Sequence, residues 1–186
     1  MLLNFPSLIS DVRTLRNQLV NNQANLTKDP GVYCWWFDKD GMDKILKPIV
    51  NFGLDKTKIA TKPISGKKYY ALYFGKAQKE SVISRLKWHI CQKHSKSAVS
   101  HGYLSTLRAT LSALLQLDKS QSEANVNDFM NKHCVVEWWY LEQPKIESVE
   151  KCIISNGYFP LNIQINPSIP LAVKEELIKL RKSYNK

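Results

Sequence analysis

The sequence lacks the features that mark membrane, secreted and low-complexity proteins. Only 7 glycines and 8 prolines occur in 186 residues, which excludes collagen-like and low-complexity compositions. No apolar run approaches the roughly 18 residues that a membrane-spanning helix needs. The N-terminal segment MLLNFPSLISDVRT loses its apolar character too early for a secretory signal. We therefore expect a cytoplasmic protein that does not span a membrane.

Cysteine is also scarce, and its spacing indicates no common metal site. The four cysteines are widely scattered and none forms a C-x-x-C pair, the spacing typical of zinc ribbons and thioredoxin-like sites. The nearest group of possible metal ligands has a spacing that fits no common zinc module; it comprises His89, Cys91, His94 and His101. We predict reduced, buried thiols, as in cytosolic proteins.

Acidic residues are outnumbered by basic ones. The chain has 27 Lys and Arg against 16 Asp and Glu, a formal net charge of +11. Hydrophobic residues make up 44%, which excludes an intrinsically disordered chain. A charge excess of this size favours a polyanionic partner, with nucleic acid first and an acidic membrane surface second. Composition alone does not separate the two.

The order of apolar patterns predicts a single α+β domain over residues 1–186. Three runs rich in β-branched and aromatic residues predict strands at residues 32–37, 69–74 and 134–141. Helical spacing predicts an N-terminal helix within residues 1–25, with an apolar stripe from Leu8 to Leu19. Further helices are predicted at residues 79–94, 103–117 and 123–132, after Pro144, and from about Pro170 to the basic C-terminus (167–186). So small a sheet needs helices to cover it.

A glutamate interrupts the apolar face of the helix predicted after Pro144. At about 100° per residue, Glu150 falls in the middle of an arc that is formed by Ile146, Val149, Ile153 and Ile154. An unpaired carboxylate on a buried face costs several kcal/mol. We therefore expect a cation, a metal or a hydrogen-bond donor opposite Glu150. The alternatives are a structural salt bridge and a side chain that reaches solvent.

Two basic residues stand together on the helix predicted at residues 79–94. Arg85 and His89 lie one turn apart, beside the apolar stripe. They are placed to point together into a cleft next to the sheet. The alternative is a solvated flank with an incidental histidine.

These residues resemble the signature of the GIY-YIG nuclease family. Gly31-Val32-Tyr33 on the first predicted strand and Tyr73-Phe74-Gly75 on the second resemble the two halves of that signature. Lys76 follows the second half, as it often does in the family. Arg85 comes twelve residues after Tyr73, close to the position of the family's catalytic arginine, and His89 matches a histidine of the homing and restriction branches.

The late part of the chain extends the resemblance. Glu150-x-x-Ile153-Ile154, followed by Pro160-x-Asn162, is similar to the family's E-x-x-L-I … P-x-N ending. The resemblance covers most of residues 30–163. Two features depart from the family. The middle letters are Val32 and Phe74, both apolar. The two tyrosines stand 40 residues apart, farther than in compact members, so residues 38–68 are expected to be an insertion.

The resemblance implies a mainly antiparallel sheet flanked by helices and a metal-dependent endonuclease that hydrolyses double-stranded DNA. Glu150 would bind Mg²⁺ or Mn²⁺, Tyr33 would activate or position water, and Arg85 would neutralise the phosphate. Tyr73 and His89 would support Tyr33.

Lys76 and Asn162 would contact phosphate or support the residues that do. Because a tyrosine has an ordinary pKa of about 10, Tyr33 needs nearby positive charge to act as a base. Lys76, Arg85 and the metal would supply that charge.

Other interpretations remain open. One is a DNA-binding module on a GIY-YIG scaffold that has lost catalysis, and another is an interaction domain whose charge serves solubility. The lysines of residues 56–68 are expected to form a solvated loop, and the alternative is that they contact a phosphate backbone. The basic run Lys179–Lys182 suits the C-terminal end of a helix, where it would be stabilised by the helix dipole. The oligomeric state and the choice between site-specific and structure-specific cleavage stay open.

Overall fold

A five-stranded antiparallel sheet forms the centre of the computed structural model, which describes residues 6–23, 27–164 and 166–185. Its spatial order is β1-β5-β2-β4-β3, and every neighbouring pair is antiparallel. The strands are β1 (Leu8–Asp11), β2 (Gly31–Asp38), β3 (Thr61–Ile64), β4 (Lys67–Ala77) and β5 (Cys134–Tyr140). The predicted α+β class and antiparallel arrangement are therefore confirmed.

Eight α-helices surround the sheet in the described ranges. They are α1 (Val12–Val20), α2 (Lys39–Leu46), α3 (Val82–Cys91), α4 (Lys96–Ser100), α5 (Thr106–Leu114), α6 (Ser122–His133), α7 (Gln143–Asn156) and α8 (Leu171–Asn185). Several begin where a polar side chain accepts a backbone N–H, as Asp11, Ser81 and Ser105 do. None of these helices is long and apolar enough to cross a membrane.

Strand β2 is buried on both faces and divides the interior into two layers. Tyr33, Trp35 and Phe37 face the main core, to which α1, α2, α3, α5, α6 and α8 contribute apolar residues. The residues between them face a smaller core that is covered by α7. This alternation places two chemically different layers on opposite sides of one strand.

The expected three-stranded sheet is wrong, because two edge strands come from segments that were predicted otherwise. Residues 8–11, predicted as the start of a helix, pair with β5 at one edge. The Asp11 side chain accepts the Thr14 N–H at 2.8 Å, so the helix begins only at Val12. Leu8 and Ile9 consequently lie on the edge strand and are exposed. The segment given to the predicted N-terminal helix also includes residues 1–5 and 24–25, which lie outside the described residues.

The expected solvated loop at residues 56–68 is also corrected. Thr61–Ile64 forms β3, which pairs with β4. Lys62 Nζ lies 2.6 Å from a carboxylate oxygen of Glu137, a β5 residue that is only 2% exposed. Trp36 Nε1 donates to the other oxygen at 3.0 Å. A buried carboxylate needs such partners, so this lysine has a structural role.

The thiols agree only in part with the expectation. All four cysteines are free; Cys34 and Cys134 are buried, Cys91 is half-buried and Cys152 is exposed. Cys152 lies on α7, whose apolar face turns toward the sheet through Ile146 and Ile154. The exposed thiol is therefore a correction to the prediction of uniformly buried cysteines.

A buried arginine joins α3, α5 and α6. The Arg108 side chain is 0% exposed and donates to the carbonyl oxygens of His89 and Ile90, each at 3.1 Å. It also donates to His94 Nε2 at 2.7 Å and to Asn127 Oδ1 at 2.9 Å. A cation at the end of a helix satisfies carbonyls that lack a partner within the helix. Arg108 thus holds the last turn of α3 in place.

Replacing Arg108 with methionine is expected to lower the free energy of unfolding by about 3 kcal/mol, because buried acceptors lose their donor. Urea denaturation of Arg108→Met measures this loss. Arg13→Met, at an exposed position of α1, is the control and should stay within about 0.5 kcal/mol of the wild type. Equal stability of the two variants would contradict a structural role for Arg108.

Candidate active site

The register of β2 and β4 brings the two signature tyrosines to one face of the sheet. Tyr33 stands opposite Gly75, and Trp35 stands opposite Tyr73. The rings of Tyr33 and Tyr73 have centroids 6.5 Å apart. A Cβ on Gly75 would lie 2.6 Å from the Tyr33 hydroxyl oxygen and 2.7 Å from its Cζ. The Tyr33 ring therefore lies over Gly75 in space that any other residue would fill.

A β-bulge next to Tyr73 turns Leu72 toward the main core. Trp35 pairs with Tyr73 but Trp36 pairs with Ala71, so Leu72 is an extra residue on β4. Leu72 and Tyr73 consequently face the same main core, although strict alternation would place them on opposite faces.

Helix α3 places a histidine against Tyr33. The helix begins after Ser81, whose side chain accepts the Ser84 N–H. About two turns along the helix, His89 lies beneath the sheet, where its Nε2 is 2.8 Å from the Tyr33 hydroxyl oxygen. Burial first, and then Arg85 and Arg108, lower the pKa of His89 to about 3. The imidazole is therefore neutral at physiological pH. Arg85 and His89, predicted to lie together on one side of α3, differ in burial, since His89 is buried and Arg85 is half-buried.

Both tyrosines keep their protons in this environment. Burial, followed by Tyr73, raises the pKa of Tyr33 well above its usual range, and Glu150 adds to this while Arg85 opposes it. Burial raises the pKa of Tyr73 to about 12, with Glu150 adding to the rise and Arg85 and Arg181 opposing it. The expected lowering of the Tyr33 pKa by nearby cations is thus wrong for the protein alone, because desolvation outweighs the one opposing guanidinium.

Arg85 is held beside the tyrosines by two contacts. Its Nη2 lies 2.5 Å from a carboxylate oxygen of Glu80, and its guanidinium carbon lies 4.7 Å from the centroid of the Trp88 ring. Its buried Nε has no hydrogen-bond partner among the described residues. An always-charged planar donor with an unused N–H suits an oxyanion such as phosphate.

Helix α7 brings Glu150 to the same place from the other side of β4. Glu150 forms an ion pair with Lys76, whose Nζ lies 2.9 Å from the Glu150 Oε2. The Glu150 side chain is 14% exposed. The cation expected opposite Glu150 is therefore Lys76. Tyr73, Lys76 and Glu150 line a pocket of about 450 Å³.

Asn162 supports strand β4 from the side. Its Oδ1 accepts the Phe74 N–H at 2.8 Å, and its Nδ2 donates to the Phe74 carbonyl oxygen at 2.7 Å. Asn162 lines the pocket but is only 8% exposed. Because both ends of its amide hold the backbone between Tyr73 and Gly75, this geometry favours the supporting role over contact with phosphate.

One residue of the pocket was not assigned to it from the sequence. Arg181 on α8 lines the pocket with Tyr73 and Glu150. The basic run to which it belongs was interpreted as the end of a helix, and no pattern along α8 distinguishes Arg181 from its neighbours. Its burial lowers its pKa, and Tyr73 opposes that change.

Comparison with known families agrees with this geometry. The model of the family described as GIY-YIG catalytic domain matches residues 31–183, and the chain therefore belongs to that family. The match continues past residue 163 and includes most of α8. Searches among curated proteins and among solved structures returned no match. Members of the family are generally endonucleases that depend on a divalent metal.

The pocket fits a divalent cation held by one carboxylate. Glu150 contributes a partly accessible carboxylate to the pocket, and no group of three or more His, Cys, Asp or Glu side chains is arranged for a metal within the described ranges. Mg²⁺ is commonly bound through one or two carboxylates, with water and substrate phosphate filling the remaining positions. The donor set around Glu150 is of that type.

Replacing Gly75 with alanine is expected to displace the Tyr33 ring and to lower the free energy of unfolding by about 1–3 kcal/mol, because the added methyl overlaps the ring. Urea denaturation gives the stability of Gly75→Ala, and a crystal structure shows whether Tyr33 still contacts His89.

A double-mutant cycle separates this overlap from a general intolerance of β4. Removing the ring in Tyr33→Leu should make the additional Gly75→Ala change nearly neutral. If Gly75→Ala costs the same with and without the ring, contact with Tyr33 is not the reason for the glycine.

The stability of the fold is expected to decrease as the pH falls from about 6.5 toward 5. A histidine in the unfolded chain has a pKa of about 6.5, whereas the pKa of His89 is lowered to about 3 in the fold. The unfolded chain therefore binds an additional proton in this range, and the loss approaches about 1 kcal/mol per pH unit. Denaturation at several pH values measures the slope, and His89→Gln should flatten it. A slope that is unchanged in His89→Gln would refute the assignment.

Proposed function

We propose that the protein is a metal-dependent endonuclease that hydrolyses phosphodiester bonds of DNA. The observation that supports this most is that a neutral imidazole, a guanidinium and a carboxylate lie around the two phenols of Tyr33 and Tyr73. The Tyr33 hydroxyl contacts His89, the charges of Arg85 and Glu150 act on both phenols, and Tyr73 and Glu150 line one pocket. These residues come from β2, β4, α3 and α7, elements that are distant in the chain. Hydrolysis of a phosphodiester needs a positioned water and neutralisation of the phosphate charge, and these groups meet both needs.

Tyr33 and His89 hold the water and receive its proton. Because the pKa of Tyr33 is raised, the phenol is protonated at neutral pH, and its oxygen first positions the attacking water. The Tyr33 hydroxyl lies 2.8 Å from His89 Nε2. As the water attacks phosphorus, its proton passes to the Tyr33 oxygen while the phenolic proton passes to His89 Nε2. Tyr73, whose pKa is raised to about 12, keeps its proton and lies beside them, its ring centroid 6.5 Å from that of Tyr33.

The two basic residues at the site exchange partners when substrate binds. In the protein alone Arg85 is paired with Glu80 and Lys76 with Glu150. A phosphate in the pocket offers oxygens of stronger charge to both cations. Arg85 then neutralises the phosphate, and Lys76 contacts it or an adjacent phosphate.

Glu150 would hold the divalent cation, Mg²⁺ or Mn²⁺, when Lys76 turns to the phosphate. When bound, the cation would supply charge neutralisation at the phosphate and a lowered pKa for bound water. The protein's part is a carboxylate that is fixed on α7 and that is shielded from all but a small share of solvent.

Double-stranded DNA is the proposed substrate. The net charge of +11 supports binding along a phosphate backbone, in a manner that depends on salt and not on sequence. The four free thiols accord with the cytoplasmic location that we propose.

Glu150→Gln and Tyr33→Phe are each expected to lower the rate of DNA cleavage at least about hundredfold, because one loses the metal ligand and the other loses the proton-transfer oxygen. The assay is single-turnover cleavage of plasmid DNA with Mg²⁺ or Mn²⁺, and the wild type should be inactive in chelator.

Matched controls are present in the same chain. Glu147 is exposed on α7 and Tyr103 is exposed near α5, so Glu147→Gln and Tyr103→Phe should cut at the wild-type rate. Cleavage by Glu150→Gln and Tyr33→Phe at the wild-type rate would overturn the assignment of the site. Binding of DNA by the wild type without cleavage under any divalent metal would favour a binding module that has lost catalysis.

A further inference from the structure

Arg181 is a cation of the pocket that no step above uses. It lies on α8, and its half-buried side chain lines the pocket beside Tyr73, Lys76 and Glu150. Helix α8 follows Asn162 in the chain and lies outside the segment that carries the signature residues. Its contribution to the pocket is thus a product of tertiary packing.

The position of Arg181 is determined by the packing of α8. Val173 and Leu177 are buried in the main core, and Tyr184 is buried in a smaller apolar cluster with Ala109 and Ala113 of α5. These anchors come before and after Arg181 on the same helix. The guanidinium is therefore presented by a fixed element and not by a loose tail.

The electrostatic surroundings of Arg181 show a cation without a counter-ion. Burial lowers its pKa, and only Tyr73 opposes this appreciably. Within residues 6–23, 27–164 and 166–185, no carboxylate lies at ion-pair distance from it. The other cations at the site differ, since Arg85 is paired with Glu80 and Lys76 with Glu150. A partly desolvated guanidinium with no partner gains most when an anion enters the pocket.

Arg181 and Arg85 act on the same group from two helices. Both lower the pKa of Tyr73, against the effects of burial and Glu150. The charges of the two guanidinium groups, on α3 and α8, therefore act at the same phenol, and Arg181 lines the pocket beside it. An anion seated next to Tyr73 would be attracted by both.

We propose that Arg181 binds a phosphate of the DNA in the pocket, so that α8 forms part of the active site. This rests on the proposed function, which supplies the phosphodiester. Arg181 needs no partner exchange before it binds phosphate, whereas Arg85 and Lys76 must leave a carboxylate. The Arg181 guanidinium attracts the phosphate to the pocket, and Arg85 then completes the neutralisation of the phosphate charge.

The test compares Arg181→Gln with Lys182→Gln, an exposed neighbour on the same helix. A 20-base-pair duplex is titrated by fluorescence anisotropy in chelator, where no cleavage occurs, at several KCl concentrations. Arg181→Gln should weaken binding about tenfold. It should also reduce the slope of log K against log salt by about one. Lys182→Gln should change the affinity by less than about threefold.

Single-turnover cleavage with Mg²⁺ then shows where the contact lies. Arg181→Gln should lower the cleavage rate of bound DNA as well as affinity, and Lys182→Gln should leave that rate unchanged. Arg181→Lys keeps the charge but loses the planar fork, so it should bind more tightly than Arg181→Gln and less tightly than the wild type. This second variant also preserves the test if Arg181→Gln does not fold.

The outcomes separate this inference from the proposed function. If Arg181→Gln binds DNA with the wild-type affinity and salt slope, the inference is refuted, whether or not the wild type cuts DNA. If Arg181→Gln loses affinity while the wild type never cuts, the phosphate contact stands and the nuclease function fails. If affinity falls but the cleavage rate of bound DNA is unchanged, Arg181 contacts DNA outside the reacting site, and its place in the active site is overturned.

Discussion

The site depends on one steric fit, the Tyr33 ring lying over the bare Cα of Gly75. This contact is possible because β2 and β4 pair with these two residues opposite each other, and a Cβ would lie 2.6 Å from the tyrosine oxygen. With the ring in that position, its hydroxyl reaches His89 at 2.8 Å. Gly75, in one half of the signature, thus leaves the space that the ring of Tyr33, in the other half, occupies. This explains in physical terms why the two short motifs act as one.

Around this contact, the site combines neutral groups that are buried with charged groups that are paired. Desolvation keeps His89 neutral and both tyrosines protonated. The charged members are balanced within the protein, Arg85 by Glu80 and Lys76 by Glu150. These two ion pairs stabilise the site without substrate, and Arg181, which has no ion-pair partner among the described residues, is only half-buried. Under the proposed function, each ion pair would release its cation toward a phosphate.

Much of the site could be predicted from the sequence, because each residue interrupts or marks a local pattern. Glu150 is a charge on an apolar helical face, and the structure places Lys76 opposite it.

The two edge strands of the sheet could not be predicted from local sequence patterns. Residues 8–11 continue the apolar spacing of α1, yet the cap at Asp11 begins the helix later and releases them to pair with β5. Residues 61–64 contain a proline and two polar residues, and only pairing with β4 makes them a strand. Edge strands take their conformation from a neighbour, which local periodicity does not describe.

By itself, the sequence determined the α+β class, the helices that carry Arg85, His89 and Glu150, and the residue types needed for phosphate chemistry. These depend on interactions within a few residues, so periodicity reports them. The tertiary structure alone decided that β2 and β4 pair with a bulge at Leu72, that Arg108 holds the end of α3, and that Arg181 lines the pocket from α8. Each of these is a pairing between distant segments. Its geometry is settled when the sheet and helices pack against one another, because that packing sets the register and direction of each side chain.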